Sequence, residues 1–155
     1  MRRCQAGARP EASGFLAIAP AVARGLEGHQ FLGGGGVHGD GAVEINNSGR
    51  FEETLAITAV AGQRIELRAK DEARPLIKLS GDMTITGAAE AEVTLNGLLI
   101  DGGTIRVSGD LERLTLRHCT LVPKSVPSLV IASTSVIVRI ESCIVGAIQA
   151  VDGAE

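Results

Sequence analysis

Three segments of the chain align without a gap: VTLNGLLI at residues 93–100, LTLRHCTL at 114–121 and VRIESCIV at 138–145. The second interval between their starting positions is longer than the first by three residues. In each segment the first, third, sixth and eighth residues are apolar, whereas the second and fourth are mostly polar. Such alternation is typical of a strand with one buried face. The polar or small residues in the middle of each segment indicate a bend, after which a second strand begins.

A strand, a bend and a second strand that recur at nearly constant intervals predict a coiled β-solenoid, in which each coil stacks on the previous one. Further short apolar runs, bounded by Gly, Asp, Ser or Pro, supply the rest of each coil. They lie at 42–46, 51–60, 63–68, 76–79, 83–85, 104–107 and 128–131. We therefore predict an all-β domain at 41–155, a right-handed parallel β-helix of about five coils with three short strands in each.

An antiparallel β-sandwich is the main alternative, since it also has short strands and regular turns. Its best support is the pair Asn96-Gly97, because this dipeptide is a common hairpin turn. The other two copies of the repeat carry His118 and Ser142 at the position of Gly97. This substitution and the constant register favour the solenoid.

Residues 1–40 differ in composition, being rich in Ala, Gly and Arg without a lasting apolar period. We predict a flexible or capping N-terminal segment with one short helical turn at 21–26. Its glycine run at 33–36 lacks the Lys-Ser/Thr of a phosphate loop, so a linker is the better interpretation. The start of the chain loosely imitates a signal peptide, but Glu11 and Pro20 argue against one. A cytoplasmic protein, or a part of an assembled particle, is expected.

The composition narrows the range of partners. The 155 residues suit one domain, with 45% hydrophobic but only 2% aromatic residues and a net charge of −3. Without a basic stripe or aromatic stacking platform, we expect no nucleic-acid partner. No apolar run reaches the ~18 residues of a membrane span, so no membrane partner is expected. The three cysteines form no motif with metal-ligand spacing, and we predict neither a metal nor a cofactor.

Stacking places equivalent residues of adjacent coils about 4.8 Å apart. One predicted core column holds Leu98, Cys119 and Cys143. These two thiols are either a redox pair or, as we favour, buried thiols that act as small apolar groups. The outward residues form a candidate polar strand face, on which Arg117 and Glu141 should pair across coils. Its members are Thr94, Asn96, Thr115, Arg117, Arg139 and Glu141.

Other candidates for chemistry are weaker. His118 lies in a predicted bend near Glu141 and Ser142, and could act as a base only with an orienting carboxylate and a facing substrate. Asp101 and Asp110 flank one strand, and 38–41 reads His-Gly-Asp-Gly. We interpret all of them as bend or turn residues. No catalytic residue is predicted.

The two ends of a solenoid are sheet edges that promote association. We therefore expect either that the N-terminal segment folds over one end or that another copy or another protein covers the ends. Some self-association or a larger assembly is expected rather than a free monomer.

The strings LNGLLIDGG at 95–103 and LRHCTLVP at 116–123 resemble bacterial right-handed parallel β-helix proteins of the pectate-lyase-like fold. More narrowly, the chain is similar to β-helical segments of proteins associated with phage-tail-like contractile injection systems and their baseplates. The resemblance covers roughly 64–145 and implies a structural, trimming or surface-binding part, often trimeric. Enzymes of the wider fold use paired Asp residues, or Ca²⁺-binding Asp with an Arg base, on acidic polysaccharides. Those motifs are missing from this sequence, so no catalytic role is carried over.

Two functions are compatible with these observations. The first is a non-enzymatic structural or binding module of a larger bacterial or phage-like assembly. The second is a polysaccharide-active lyase or glycoside hydrolase, or a carbohydrate binder, that uses the polar strand face. Two or more carboxylates clustered on one face would favour the second function. A third interpretation is that the chain is a shortened copy of a longer protein without an independent function.

Overall fold

A computed structural model of the chain describes residues 15–18, 29–33, 41–133 and 135–151, and all its regular elements are strands. The strands are β1 (Phe15–Ile18), β2 (His29–Gly33), β3 (Gly41–Ile45), β4 (Arg50–Ala59), β5 (Arg64–Ala69), β6 (Leu76–Leu79), β7 (Met83–Gly87), β8 (Glu92–Asn96), β9 (Leu99–Asp101), β10 (Ile105–Gly109), β11 (Arg113–Arg117), β12 (Thr120–Leu121), β13 (Leu129–Ile131), β14 (Ile137–Glu141) and β15 (Ile148–Ala150).

The strands form three parallel faces, and each coil contributes one strand to each face. Face 1 consists of β3, β5, β8, β11 and β14 in that order. Face 2 consists of the first half of β4, then β6, β9 and β12. Face 3 consists of the second half of β4, then β7, β10, β13 and β15. The predicted all-β parallel solenoid with three strands per coil is confirmed.

The predicted number of coils was too high. The structure has about four turns, because the five parallel strands of face 1 enclose four repeats. Residues 137–151 form a final partial coil, in which face 2 is reduced to a single bridge between Thr120 and Ile144. Dividing the length of the domain by the repeat includes this incomplete turn and so gives five.

The unequal repeat lengths have a structural explanation. Face 1 pairs Leu95 with Leu116, and Leu116 with Ile140, so its last interval is the longer one by three residues. The interval from face 2 to face 3 grows from six residues (99 to 105) to nine (120 to 129), whereas the return from face 3 to face 1 stays constant. The three extra residues therefore belong to one corner, 122–128, where Pro123 and Pro127 hold the chain outside the strands.

The N-terminal segment also contributes strands. Strand β2 pairs antiparallel with β3 at the start of face 1, and β1 pairs parallel with β4. Neither strand is predicted from the sequence, because 1–40 shows no lasting alternation. The predicted helical turn at 21–26, the glycines at 34–36 and the residues at 38–40 lie outside the described part of the chain.

The core lies inside the coil and consists of columns of apolar side chains, and each coil contributes one residue to a column. Leu95 and Leu116 are fully buried in one column, and Leu98 and Cys119 are buried in the next. Each column continues the alternation of its strand, so that every second side chain points inward. Leu, Ile and Val fill these positions because their sizes suit a narrow interior with few aromatic side chains.

Two backbone features make the corners possible. The bend after face 1 is left-handed in three successive passes, at Gly97 (φ 72°), His118 (φ 50°) and Ser142 (φ 53°). This explains the Asn96-Gly97 pair as a solenoid bend rather than a hairpin. At the next corner, a Cβ on Gly103 would lie 1.8 Å from the carbonyl oxygen of Gly81, so only glycine allows the coils to approach this closely.

Candidate functional site

The candidate polar strand face lies on the outside of face 1. The strand register aligns Thr94, Thr115 and Arg139 in one column. The second column holds Asn96, Arg117 and Glu141. All six candidate residues therefore belong to one continuous surface, although Thr115 is itself buried.

The structure extends this surface to residues that the sequence analysis did not select. The column of Thr94 continues through Glu66 on β5. The column of Asn96 continues through Arg68 on β5 and Glu44 on β3. A third column holds Arg64, Glu92 and Arg113. The sequence contains a pattern that could have identified these residues, because they alternate with Val43, Leu67 and other core residues. It is weak there because the clear repeats begin only at 93.

Four carboxylates share this face, and arginines neutralise them. Arg68 contacts Glu44 at 3.0 Å and Glu66 at 3.4 Å. Glu92 lies 3.3 Å from a guanidinium nitrogen of Arg113 and 3.7 Å from one of Arg64. The carboxylates thus form a ladder of ion pairs rather than an acidic cluster.

The predicted pair at the end of this ladder is confirmed. Arg117 Nε donates to Glu141 Oε2 at 2.8 Å, and Arg139 also forms an ion pair with Glu141. The Arg117 hydrogen bond, followed by the positive charges of Arg117 and Arg139, lowers the pKa of Glu141. A general acid in glycoside cleavage needs a raised carboxyl pKa. Glu141 is therefore suited to holding adjacent coils in register and not to donating a proton.

Among the depressions along face 1 and its bend, two are each lined by two of the candidate residues. The first has a volume of about 390 Å³. Its lining includes Arg64, Glu66, Glu92, Thr94 and Arg117. The second, of about 360 Å³, lies at the bend. Its lining includes Lys70, Asp71, Arg74, Asn96 and His118. Both have charged walls of mixed sign.

The weak candidate His118 belongs to the bend itself. Its side chain is exposed, and its φ of 50° places it in the left-handed region. Its backbone N–H donates to the carbonyl oxygen of Glu141 at 3.0 Å, which ties the bend to the following strand. The backbone of His118 therefore serves the coil, while its ring lines the second depression.

The two thiols of the core column, Cys119 and Cys143, lie on adjacent coils. The Cys119 N–H donates to Cys143 Sγ at 3.3 Å, and Cys119 Sγ donates to the carbonyl oxygen of Arg117 at 3.1 Å. Both thiols are free. Burial raises the pKa of Cys119 to about 11, so its thiol stays protonated at neutral pH. A protonated, buried thiol is a poor nucleophile and packs as a small apolar group.

The Asp candidates lie at corners. Asp101 forms an ion pair with Lys78 at 2.6 Å, and that hydrogen bond lowers the pKa of Asp101. The backbone N–H of Asp110 donates to the carbonyl oxygen of Gly87. A residue that was not selected, Asp82, accepts from the Thr104 N–H and from Arg106 at 2.6 Å, which lowers its pKa. The carboxylates of Asp101 and Asp82 therefore fasten neighbouring coils at the corners, whereas Asp110 does so through its backbone.

The final partial coil presents a different kind of surface. Ile140 and Ile148 continue core columns above Leu116 and Leu129, yet they are 38% and 47% exposed. Among the described residues, no strand pairs with the outer edge of β14. Exposed large apolar side chains elsewhere in this partial coil are Ile137, Ile144 and Val151. We call this surface the open end.

Within the described ranges, no group of His, Cys, Asp or Glu side chains is arranged to hold a metal ion, and no helix is long and apolar enough to cross a membrane. Comparison of the chain with protein-family models, with curated proteins and with solved structures finds no match. The site must therefore be interpreted from its own geometry.

Proposed function

We propose that the protein is a non-enzymatic structural module, a β-solenoid that joins a larger assembly through its open end. The observation that carries this proposal is the exposure of Ile140 and Ile148, which stand in core columns where Leu116 and Leu129 are completely buried. Apolar side chains in core positions at a free sheet edge favour docking against another protein surface.

The polar strand face supports the non-enzymatic part of the proposal. Arginines pair its four carboxylates, and the pKa of Glu141 is lowered rather than raised. Neither feature suits a proton donor for glycoside cleavage. A module of this kind fits the type of assembly suggested by the resemblance to pectate-lyase-like and baseplate-associated β-helices, and a phage-tail-like device is the assembly that we propose.

The test is turnover of acidic polysaccharides by the full chain. Polygalacturonate, alginate and hyaluronan are incubated with the protein, and new reducing ends and unsaturated uronides are measured. Glu66→Gln and Glu92→Gln serve as matched variants, because both residues line the larger depression. We expect no turnover with any substrate. Turnover by the natural chain that falls in either variant would make the protein an enzyme and overturn the proposal.

A further inference from the structure

The open end has backbone groups that point away from the molecule. The Ile137 N–H donates to Glu112, and the Glu141 carbonyl accepts from the His118 N–H. Odd-numbered residues of β14 therefore direct their backbone groups toward β11. Because these directions alternate along a strand, Val138 and Ile140 direct theirs toward the free edge.

A second β14 can pair with this edge in antiparallel orientation, and the direction of the backbone groups restricts the register. Hydrogen-bonded pairs must join even-numbered residues of the two strands. With Ile140 opposite Ile140 of the second copy, both exchange backbone hydrogen bonds. Arg139 of each copy then lies opposite Glu141 of the other, at a non-hydrogen-bonded position where side chains approach most closely.

The charges select this register over its neighbours. The smallest shift that keeps even-numbered residues hydrogen-bonded is two residues, and it places like charges opposite one another. In one direction it places Arg139 opposite Arg139 of the other copy, and in the other direction it places Glu141 opposite Glu141. Like charges directly opposite one another destabilise a strand pair, whereas opposite charges stabilise it. Only the register centred on Ile140 gives two complementary pairs and an apolar contact in the middle.

The remaining faces are compatible with the same two-fold axis. Each coil runs through faces 1, 2 and 3 in order, so a two-fold axis that passes through the Ile140 pair perpendicular to face 1 brings face 2 of one copy opposite face 3 of the other. The Ile144 segment of one copy then meets β15 of the other, where Ile148 is exposed. Such a contact uses the same patch on both copies, as a two-fold interface requires.

We propose that the open end binds a second copy of this chain, with two β14 strands antiparallel and centred on Ile140. This inference rests on the proposed function and names its partner. The contact continues the β-sheet of face 1 across the two-fold axis and covers the apolar columns that end at Ile140 and Ile148.

The test is a charge exchange at the two pairing positions, measured by sedimentation and light scattering of the full chain from about 1 µM to 1 mM. The natural chain should dimerise. Arg139→Glu and Glu141→Arg should each weaken the dimer about tenfold or more, because each change places like charges opposite one another twice. Combining both changes in one chain should restore dimerisation, and mixing the two single variants should produce a heterodimer.

Arg106→Glu is the matched control, since it also reverses an exposed, paired arginine but lies on face 3, away from the open end. It should dimerise like the natural chain. A monomer at every concentration would overturn the inference. So would an assembly of another size, or a dimer that the single charge reversals leave unchanged. The proposed function is judged separately, by polysaccharide turnover.

Discussion

Strands β11 and β14 occupy the same face of the solenoid but are in different surroundings. Leu116 on β11 is completely buried, whereas Ile140, its partner in the next pass, is 38% exposed. The two strands share a pattern, a register and an ion pair between Arg117 and Glu141. The difference shows that in a stacked fold burial comes from the neighbouring coils and not from the strand's own sequence.

The largest expected effect concerns this core column. Leu116→Ala should lower the free energy of unfolding by about 2–5 kcal/mol, because it leaves a cavity between two coils. Ile140→Ala should cost about 1 kcal/mol when the chain is dilute and monomeric, because part of the side chain already contacts water. Urea unfolding at low protein concentration measures both. Equal losses would show that the open end is covered in solution.

The reaction rates of the two thiols test the same difference in burial between adjacent coils. Cys119 is buried with its pKa raised to about 11, whereas Cys143 lies in the final partial coil and is only partly buried. We expect Cys143 to react with iodoacetamide roughly a hundredfold faster, through local opening of the final partial coil. Peptide mass spectrometry assigns the labelled cysteine. Labelling of Cys119 at the same rate would show that the coils open together.

The bend after face 1 allows a comparison of three equivalent positions. Gly97→Ala should cost about 1–2 kcal/mol, because the left-handed backbone then carries a Cβ that lies close to Ala69. His118→Gly should gain about 0.5 kcal/mol, since it relieves that strain at some cost in chain entropy. Ser142→Gly, in the final partial coil, should change the unfolding midpoint least. A loss of stability in His118→Gly would show that the histidine ring makes a stabilising contact.

The smallest expected effect is the pH dependence of the ion pairs. The pKa values of Asp82 and Glu141 are lowered by hydrogen bonds from Thr104, Arg106 and Arg117. Folding therefore favours their charged forms, and this contribution is complete above about pH 5 and is lost as the pH falls through the depressed values.

Thermal unfolding from pH 7 to pH 3 should thus show a plateau followed by a decline. Asp82→Asn should make the decline shallower for the whole domain. Glu141→Gln should change mainly the hydrogen exchange of β14, since this strand lies at the free edge. If the decline at low pH is the same in Asp82→Asn as in the natural chain, the ion pair between Asp82 and Arg106 contributes nothing to stability.

Much of the fold could be predicted from the sequence because a solenoid repeats local information. Alternation identified the strands of 41–131, and alignment of Leu95, Leu116 and Ile140 gave the register that the structure shows. Strands β1 and β2 could not be predicted, because their pairing with β4 and β3 depends on tertiary contacts and not on a local period. The number of turns was overestimated for a related reason, since a repeat length does not reveal whether each turn has all three strands.

The candidate site was only partly accessible to sequence analysis. The positions of Arg117 and Glu141 predicted their ion pair, because adjacent coils stack in register. The ladder that includes Glu66, Arg68 and Glu92 could not be seen, since the first coils lack a clear repeat and their register depends on corner lengths. The left-handed backbone of His118 could not be predicted either. It is evident only in the structure, where Gly97, His118 and Ser142 occupy equivalent bends.

The corner at 122–128 has a consequence for how this architecture can change over evolutionary time. Its three additional residues leave the strands on either side in register, as the pairing of Ile105 with Leu129 shows. Insertions at this corner are therefore well tolerated, whereas insertion of one residue within a strand would turn the core residues that follow it in that strand to the outside. A protein engineer who wishes to graft a recognition loop should begin at this corner, between Val122 and Ser128.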